Sequence, residues 1–126
     1  MGNVLLVFAG GGAGAALRFL LSTGVQRTIS GEFPLGTLTV NLLGCLLAGA
    51  LWAWAGTRGL PFSVSVFLFS GFLGGFTTFS AFGLETFALL TEGRWVTAAA
   101  YVLVSNLCGL LLATGGYWGM LRLLHK

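Results

Sequence analysis

Charge is what this chain has least of. Only 7% of its 126 residues are charged, and aspartate is missing altogether. A soluble domain of this length carries charge on about a quarter of its residues, so a water-facing globular surface is excluded. Three scattered glutamates with no aspartate leave no nucleophile–base pair, and an enzyme is not expected. The one histidine, His125, stands at the chain end and reads as a solvated tail residue. Cys45 and Cys108 both fall within apolar runs without metal-ligand spacing, and read as small packing residues. The few basic residues are scattered rather than clustered, so no nucleic-acid partner is expected. The first segment has no basic stretch ahead of its apolar run and is expected to stay as a span, not to be cleaved as a signal peptide.

What the chain does have is apolar length. Hydrophobic residues make up 56% of it. Four stretches, at about 4–21, 35–55, 62–90 and 95–124, each reach the roughly 20 residues that cross a bilayer. The short connections leave no room for a soluble domain. The expected fold is an all-α membrane protein, a single four-span transmembrane domain over residues 1–126. With four spans, the second loop and both termini share one side and hold Arg58, Arg122 and Lys126. The other side holds Arg27 and Arg94, or a third if Arg18 is included. That near-balance gives the positive-inside rule no clear winner: either the chain inserts both ways and pairs with an opposite copy, or a bias of one residue is enough to orient it.

Glycine is abundant, with 21 residues. The pairs Gly10/Gly14, Gly71/Gly75 and Gly115/Gly119 have the small-xxx-small spacing that brings helix backbones close together in lipid. In the second stretch Thr37, Asn41, Gly44 and Ala48 recur at helical spacing and form a narrow polar and small stripe. In the fourth, Tyr101 and Ser105 are four apart and Asn106 follows. Each asparagine reads either as helix–helix glue or as the wall of an aqueous path. Two intramembrane charges, Arg18 and Glu85, either pair or stand at pore mouths, and Arg18 has the further option of snorkelling to the interface.

The third stretch is too long for one straight helix. It would run about 44 Å at roughly 1.5 Å per residue, against a hydrocarbon core about 30 Å thick. A break near its middle absorbs the excess, and Gly74-Gly75 is where the break comes cheaply. It strands backbone carbonyls and amides that lipid does not satisfy, an arrangement found beside cavities that hold ions. Thr77, Thr78 and Ser80 are placed to cap the restarted helix or line such a cavity. Phe79 and Phe82 share a face of that helix, with Phe76 a candidate to join them. The pair reads either as plain lipid or core packing, the usual role of phenylalanine in a span, or as electropositive ring edges that suit a small anion in transit.

The segments GGGAGAALRF at 10–19, GTLTVNLLG at 36–44, GFLGGFTTFSAF at 71–82 and the Ser105-Asn106 pair occur in the order found in the Fluc, or CrcB-type, fluoride channels. The chain resembles that family over essentially its whole length. The resemblance implies an antiparallel dual-topology homodimer with two fluoride pores, passing fluoride passively out across the cell membrane. It implies pore phenylalanines at Phe79 and Phe82, a pore asparagine at Asn41, and a polar track at Thr78 and Ser80. Tyr101, Ser105 and Asn106 match the family's fourth-span pore residues, and Arg18 and Glu85 its vestibule residues. A structural sodium ion (Na+) at the dimer centre, held by the backbone carbonyls of Gly74 and Thr77, is also implied. Ala81 departs from the threonine of many members and removes one hydroxyl from the track.

Two rival readings explain less. A small multidrug-type dual-topology exporter needs an acidic residue deep in the first span, where this chain has none. A non-transporting membrane scaffold accounts for the glycines but not for two intramembrane asparagines beside a hydroxyl-rich segment.

Overall fold

The computed structural model describes residues 1–29 and 31–126, and among these all regular structure is helical. Helix α1 spans Gly2–Thr28 and α2 spans Leu35–Arg58. The third stretch is compound: α3 (Phe62–Ser65) widens into a π-helical segment, Val66–Leu73, and tightens again as α4 (Gly74–Phe76). After two non-helical residues, α5 (Phe79–Thr91) and α6 (Trp95–Leu124) follow. Four stretches, Gly2–Thr28, Leu35–Arg58, Phe62–Thr91 and Trp95–Leu124, are long and apolar enough to cross a membrane.

Local chemistry sets the helix boundaries. Pro34 and Pro61 stand at the N-caps of α2 and α3, where a fixed φ and a missing N–H suit a helix start. Gly59 closes α2 at φ 64°, a left-handed conformation that favours glycine. Helix α1 runs well beyond the apolar stretch read from the sequence. Hydropathy marks where lipid ends, whereas a helix continues as long as its backbone bonds close. The Thr28 hydroxyl bonds back to the Gly24 carbonyl at 2.8 Å, and Arg27 sits in the last turn, where a cation suits the negative end of the helix dipole. From the same last turn Gln26 pins the first loop. Its Nε2 donates to the Gly31 and Phe33 carbonyls at 3.0 and 3.3 Å, and its Oε1 accepts from the Gly36 amide at 3.1 Å.

Glycine brings the helices together. A Cβ on Gly10 or Gly14 would strike the backbone of Phe67 and Phe72, and one on Gly75 would strike Gly11. So α1 lies directly on the third stretch along the Gly10/Gly14 and Gly71/Gly75 faces. Helices α2 and α6 run parallel. Gly49 abuts the Ala113 carbonyl, Gly116 abuts Leu46 and Ala50, and Gly109 faces the Cys45 sulfur. The expected Gly115/Gly119 pair does not serve this contact, since a Cβ on either would meet no atom of another helix within 4 Å. Gly116, one step round the helix, takes the role. Outside these seams the surface is apolar on all sides, as with Phe8, Val96 and Leu110, and matches lipid rather than water.

The interruption of the third stretch falls at Thr77 and Thr78, which are extended at φ/ψ of −89°/159° and −148°/115°. Gly74, by contrast, is helical at −62°/−36°. The expectation that Gly74-Gly75 forms the break is therefore corrected: Gly75 is needed for the approach to α1, and two threonines carry the extended backbone. Phe76 does not join Phe79 and Phe82 either. It is buried and stacks on Phe72 with ring centroids 5.9 Å apart.

Gly49→Ala is expected to destabilise the protein by about 1–3 kcal/mol, because its methyl group meets a backbone carbonyl that has no room to move. Gly56→Ala, in the same helix with open space around it, is expected to be neutral or slightly stabilising. Thermal unfolding of the two variants in detergent compares them.

Candidate functional site

The site is built on the two extended threonines. A residue leaving a helix strands the carbonyls behind it and the amides ahead of it. Here Asn41 of α2 takes up part of that deficit. Its Oδ1 accepts from the Thr78 amide at 2.8 Å, and its Nδ2 donates to the Thr78 carbonyl at 3.0 Å. The carboxamide thus pairs with an extended backbone as a neighbouring strand would. Asn41 joins two helices and also lines a cavity. Gly44, one turn on, leaves room for the Thr77 methyl group, where any Cβ would collide. The Thr78 hydroxyl accepts from the Ala81 amide at 3.2 Å and caps α5. It also lies 3.3 Å from the Ser80 hydroxyl.

A cavity of about 460 Å³ opens beside this clasp. Asn41, Gly74, Thr77, Thr78, Phe79, Phe82, Ser105 and Asn106 all line it, together with Gly44, Cys45, Ala48, Phe69 and Leu73. No charged side chain is among them. The Ser105 hydroxyl oxygen is buried and has no hydrogen-bond partner among the described residues. Asn106 bonds back to the Val102 carbonyl of its own helix at 2.7 Å. The rings of Phe79 and Phe82 have centroids 5.6 Å apart and are tilted by 43°. Phe79 is 83% exposed on this chain, so its ring edge is free.

Two expected residues lie elsewhere. Ser80 is exposed and outside the cavity lining. Tyr101 is fully buried behind Phe82, at a ring distance of 5.1 Å, and its hydroxyl donates to Glu85 Oε2 at 2.7 Å. The other Glu85 oxygen accepts from the Thr37 hydroxyl at 2.6 Å. Glu85 is thus held by two neutral donors, and no ion pair joins it to Arg18 among the described residues. Arg18 turns inward: its Nε donates to the Gly75 carbonyl at 3.0 Å, at the end of α4. Thr37 was legible as part of the α2 stripe, but only the fold shows that it meets Glu85. Cys45 and Phe69 carry no sequence signal that marks them as lining residues.

The backbone at the break has a further property. The usual helical partner of the Gly74 carbonyl is the Thr78 amide, and that amide is engaged by Asn41. The Thr77 carbonyl receives no hydrogen bond among the described residues. Both carbonyls remain acceptors.

Comparison with known proteins places this geometry in context. The sequence profile of the family described as CrcB-like protein, Camphor Resistance (CrcB), matches residues 5–117. The chain is 49% identical over 119 residues to the fluoride-specific ion channel FluC of Methylobacillus flagellatus, covering 93% of each chain. It is 43% identical over 109 residues to the FluC of Parabacteroides distasonis, covering 86% of this chain and 85% of that one. To the FluC of Phocaeicola vulgatus it is 37% identical over 118 residues, covering 94% and 98%.

Asn41→Leu is expected to cost about 1–3 kcal/mol, because it takes the hydrogen-bond partner from the part-buried Thr78 amide and one of the donors from its carbonyl. Asn41→Asp keeps the acceptor for the Thr78 amide but sets a carboxylate oxygen against the Thr78 carbonyl, and is expected to destabilise as well. Thermal unfolding with the wild type alongside checks both.

Proposed function

The chain belongs to the CrcB-like family of fluoride-specific channels, and from that membership we propose how its residues carry the ion. It is a multi-pass membrane channel for fluoride, a transporter and not an enzyme. Fluoride is small and strongly hydrated, so a path must replace its water without holding it too firmly. The observation that carries the reading is the neutral lining of the cavity. Ser105 with its unpartnered hydroxyl, Asn41 with one N–H left over, and the rings of Phe79 and Phe82 line one space with no carboxylate and no cation. Each supplies a partial positive charge and none a full one.

Helix ends add to this. The start of α5 at Phe79 and Ser80 presents amides and the positive end of the helix dipole, which favours an anion. The Thr78 hydroxyl continues the track, and Ser80, outside the cavity itself, extends it through its 3.3 Å contact with that hydroxyl. Asn106 lines the same space, Tyr101 backs Phe82, and the family resemblance assigns Arg18 and Glu85 to vestibules. The carbonyls of Gly74 and Thr77 suit a hard cation, since both are oxygen acceptors released from helical bonding. Two chains related by a twofold axis would bring four of them together. This supports a structural Na+ ion between antiparallel copies of the chain in the cell membrane.

Purified protein in liposomes is expected to release fluoride rapidly and chloride hardly at all under the same potential. Phe82→Ile and Asn41→Asp are each expected to lower fluoride efflux at least about tenfold, a barrier rise of about 1.4 kcal/mol or more. Wild-type efflux from both variants would remove them from the path. Replacing sodium by a bulky organic cation is expected to weaken the dimer, read by its concentration-dependent dissociation in detergent.

A further inference from the structure

The two ends of the helix bundle differ in charge once acids are weighed with bases. Helices α2 and α6 finish at the same end, where Arg58, Arg122 and Lys126 stand with no acidic side chain. The loops at the other end hold Glu32 and Glu92 beside Arg94, whose Nη1 lies 2.8 Å from the first and 3.8 Å from the second. Orientation in the membrane follows bases alone, but a lipid headgroup responds to both signs. At the cationic end a groove of about 340 Å³ opens along the α2–α6 seam, lined by Trp52, Ala53, Gly56, Thr57, Tyr117 and Leu121. Trp52 is exposed, and so is Trp118, whose ring meets that of Tyr117 edge-on with centroids 5.5 Å apart. The register of the seam, with Gly49 against Ala113 and Gly116 against Ala50, carries Arg58 to the level of Arg122. Both arginines are exposed, and neither makes a salt bridge or a side-chain hydrogen bond among the described residues.

We propose that this end of the α2–α6 seam binds an anionic phospholipid, with its phosphate on Arg58 and Arg122 and an acyl chain along the groove. Charge and depth carry the assignment together. Trp52 and Tyr117 precede the two arginines by about 7–9 Å of helix, at roughly 1.5 Å per residue. Aromatic rings therefore lie at the headgroup border and guanidinium groups above it, the order in which a phospholipid presents its chains and its phosphate. Gly56 leaves the floor of the groove open, since a Cβ there would meet nothing within 4 Å. Both helices end here with the negative pole of their dipoles, which disfavours an anion. The contact thus depends on the arginine side chains that reach past the last turns. Each guanidinium offers paired N–H donors to phosphate oxygens. A zwitterionic lipid would bring its own cation to an end that already holds three bases and no acid.

The test is native mass spectrometry of the purified protein in uncharged detergent, titrated with phosphatidylglycerol or with phosphatidylcholine of the same acyl chains. Phosphatidylglycerol is expected to bind at least about fivefold more tightly, since one nearby base attracts an anionic headgroup by about that factor. Arg58→Gln and Arg122→Gln are each expected to reduce the preference about three- to fivefold, and the two lysine variants to keep most of it. Arg27→Gln, at the end of mixed charge, is expected to leave it unchanged. Gly56→Leu fills the groove and is expected to weaken both lipids alike. Thermal unfolding without added lipid checks that each variant is folded, and if Gly56→Leu is not, the arginine variants carry the comparison. Equal binding of the two lipids, or a preference that neither glutamine variant moves, would overturn the proposal. So would displacement of bound phosphatidylglycerol by inorganic phosphate, which would leave a site for free anions instead. No fluoride enters the readout, so the result stands apart from the channel reading.

Discussion

Two hydrogen bonds between the Asn41 carboxamide and the Thr78 backbone hold an extended dipeptide open within an otherwise helical bundle. Much else follows from that clasp. It draws the Thr78 amide away from the Gly74 carbonyl, sets the first turn of α5, and turns Phe79 and Phe82 toward one space. Lipid offers no hydrogen bonds, so an unclasped break would collapse back to helix or leave several polar groups unpaired. Gly44 is a steric condition of the same arrangement, because any side chain there would push Thr77 away.

The scaffold that presents this clasp is held by proximity rather than by a large core. Among the described residues only Leu38, Leu89, Ala98 and Tyr101 form the buried apolar cluster. Apolar side chains gain little by leaving lipid for one another, so backbone-to-backbone contact at glycine carries the association. The Gly10/Gly14 face on the third stretch and the Gly49/Gly116 seam between α2 and α6 fix two pairs of helices. The clasp then links the pairs. The π-helical segment Val66–Leu73 belongs to the same fit: its wider turn seats Gly71 against Gly10 where the helices cross.

Most of the helical layout was legible in the sequence, because apolar length and proline–glycine punctuation are local signals. The four stretches start and stop near the expected residues, except that α1 continues through Arg27. The cavity residues were legible as a stripe on α2 and as the hydroxyl and phenylalanine run at 77–82. Which residue would break was not. Glycine is the usual suspect on conformational grounds, yet Gly75 is fixed by its contact with Gly11, a tertiary fact invisible in one chain segment. The same holds for Phe76, whose spacing matches Phe79 but whose ring is trapped on the other side of the break. The meeting of Thr37, Tyr101 and Glu85 joins three separate helices, and no pattern within a single helix announces it.

The clasp also has a consequence in time. Asn41 and Thr78 are 37 residues apart. At about 5–20 residues per second, Thr78 is synthesised on the order of several seconds after Asn41. The same lag separates their arrival at the membrane, and through it α2 holds a carboxamide with no partner at a depth where water is scarce. The α6 face that seals Gly49 and Gly116 follows later still. The newborn second helix therefore waits in a half-finished state, and its residence beside the insertion machinery or at the membrane border is set by the pace of translation. Slowing or speeding the ribosome while the chain between these two residues is emerging from it would change how long the polar group stands alone, and so how much of the chain reaches its folded form.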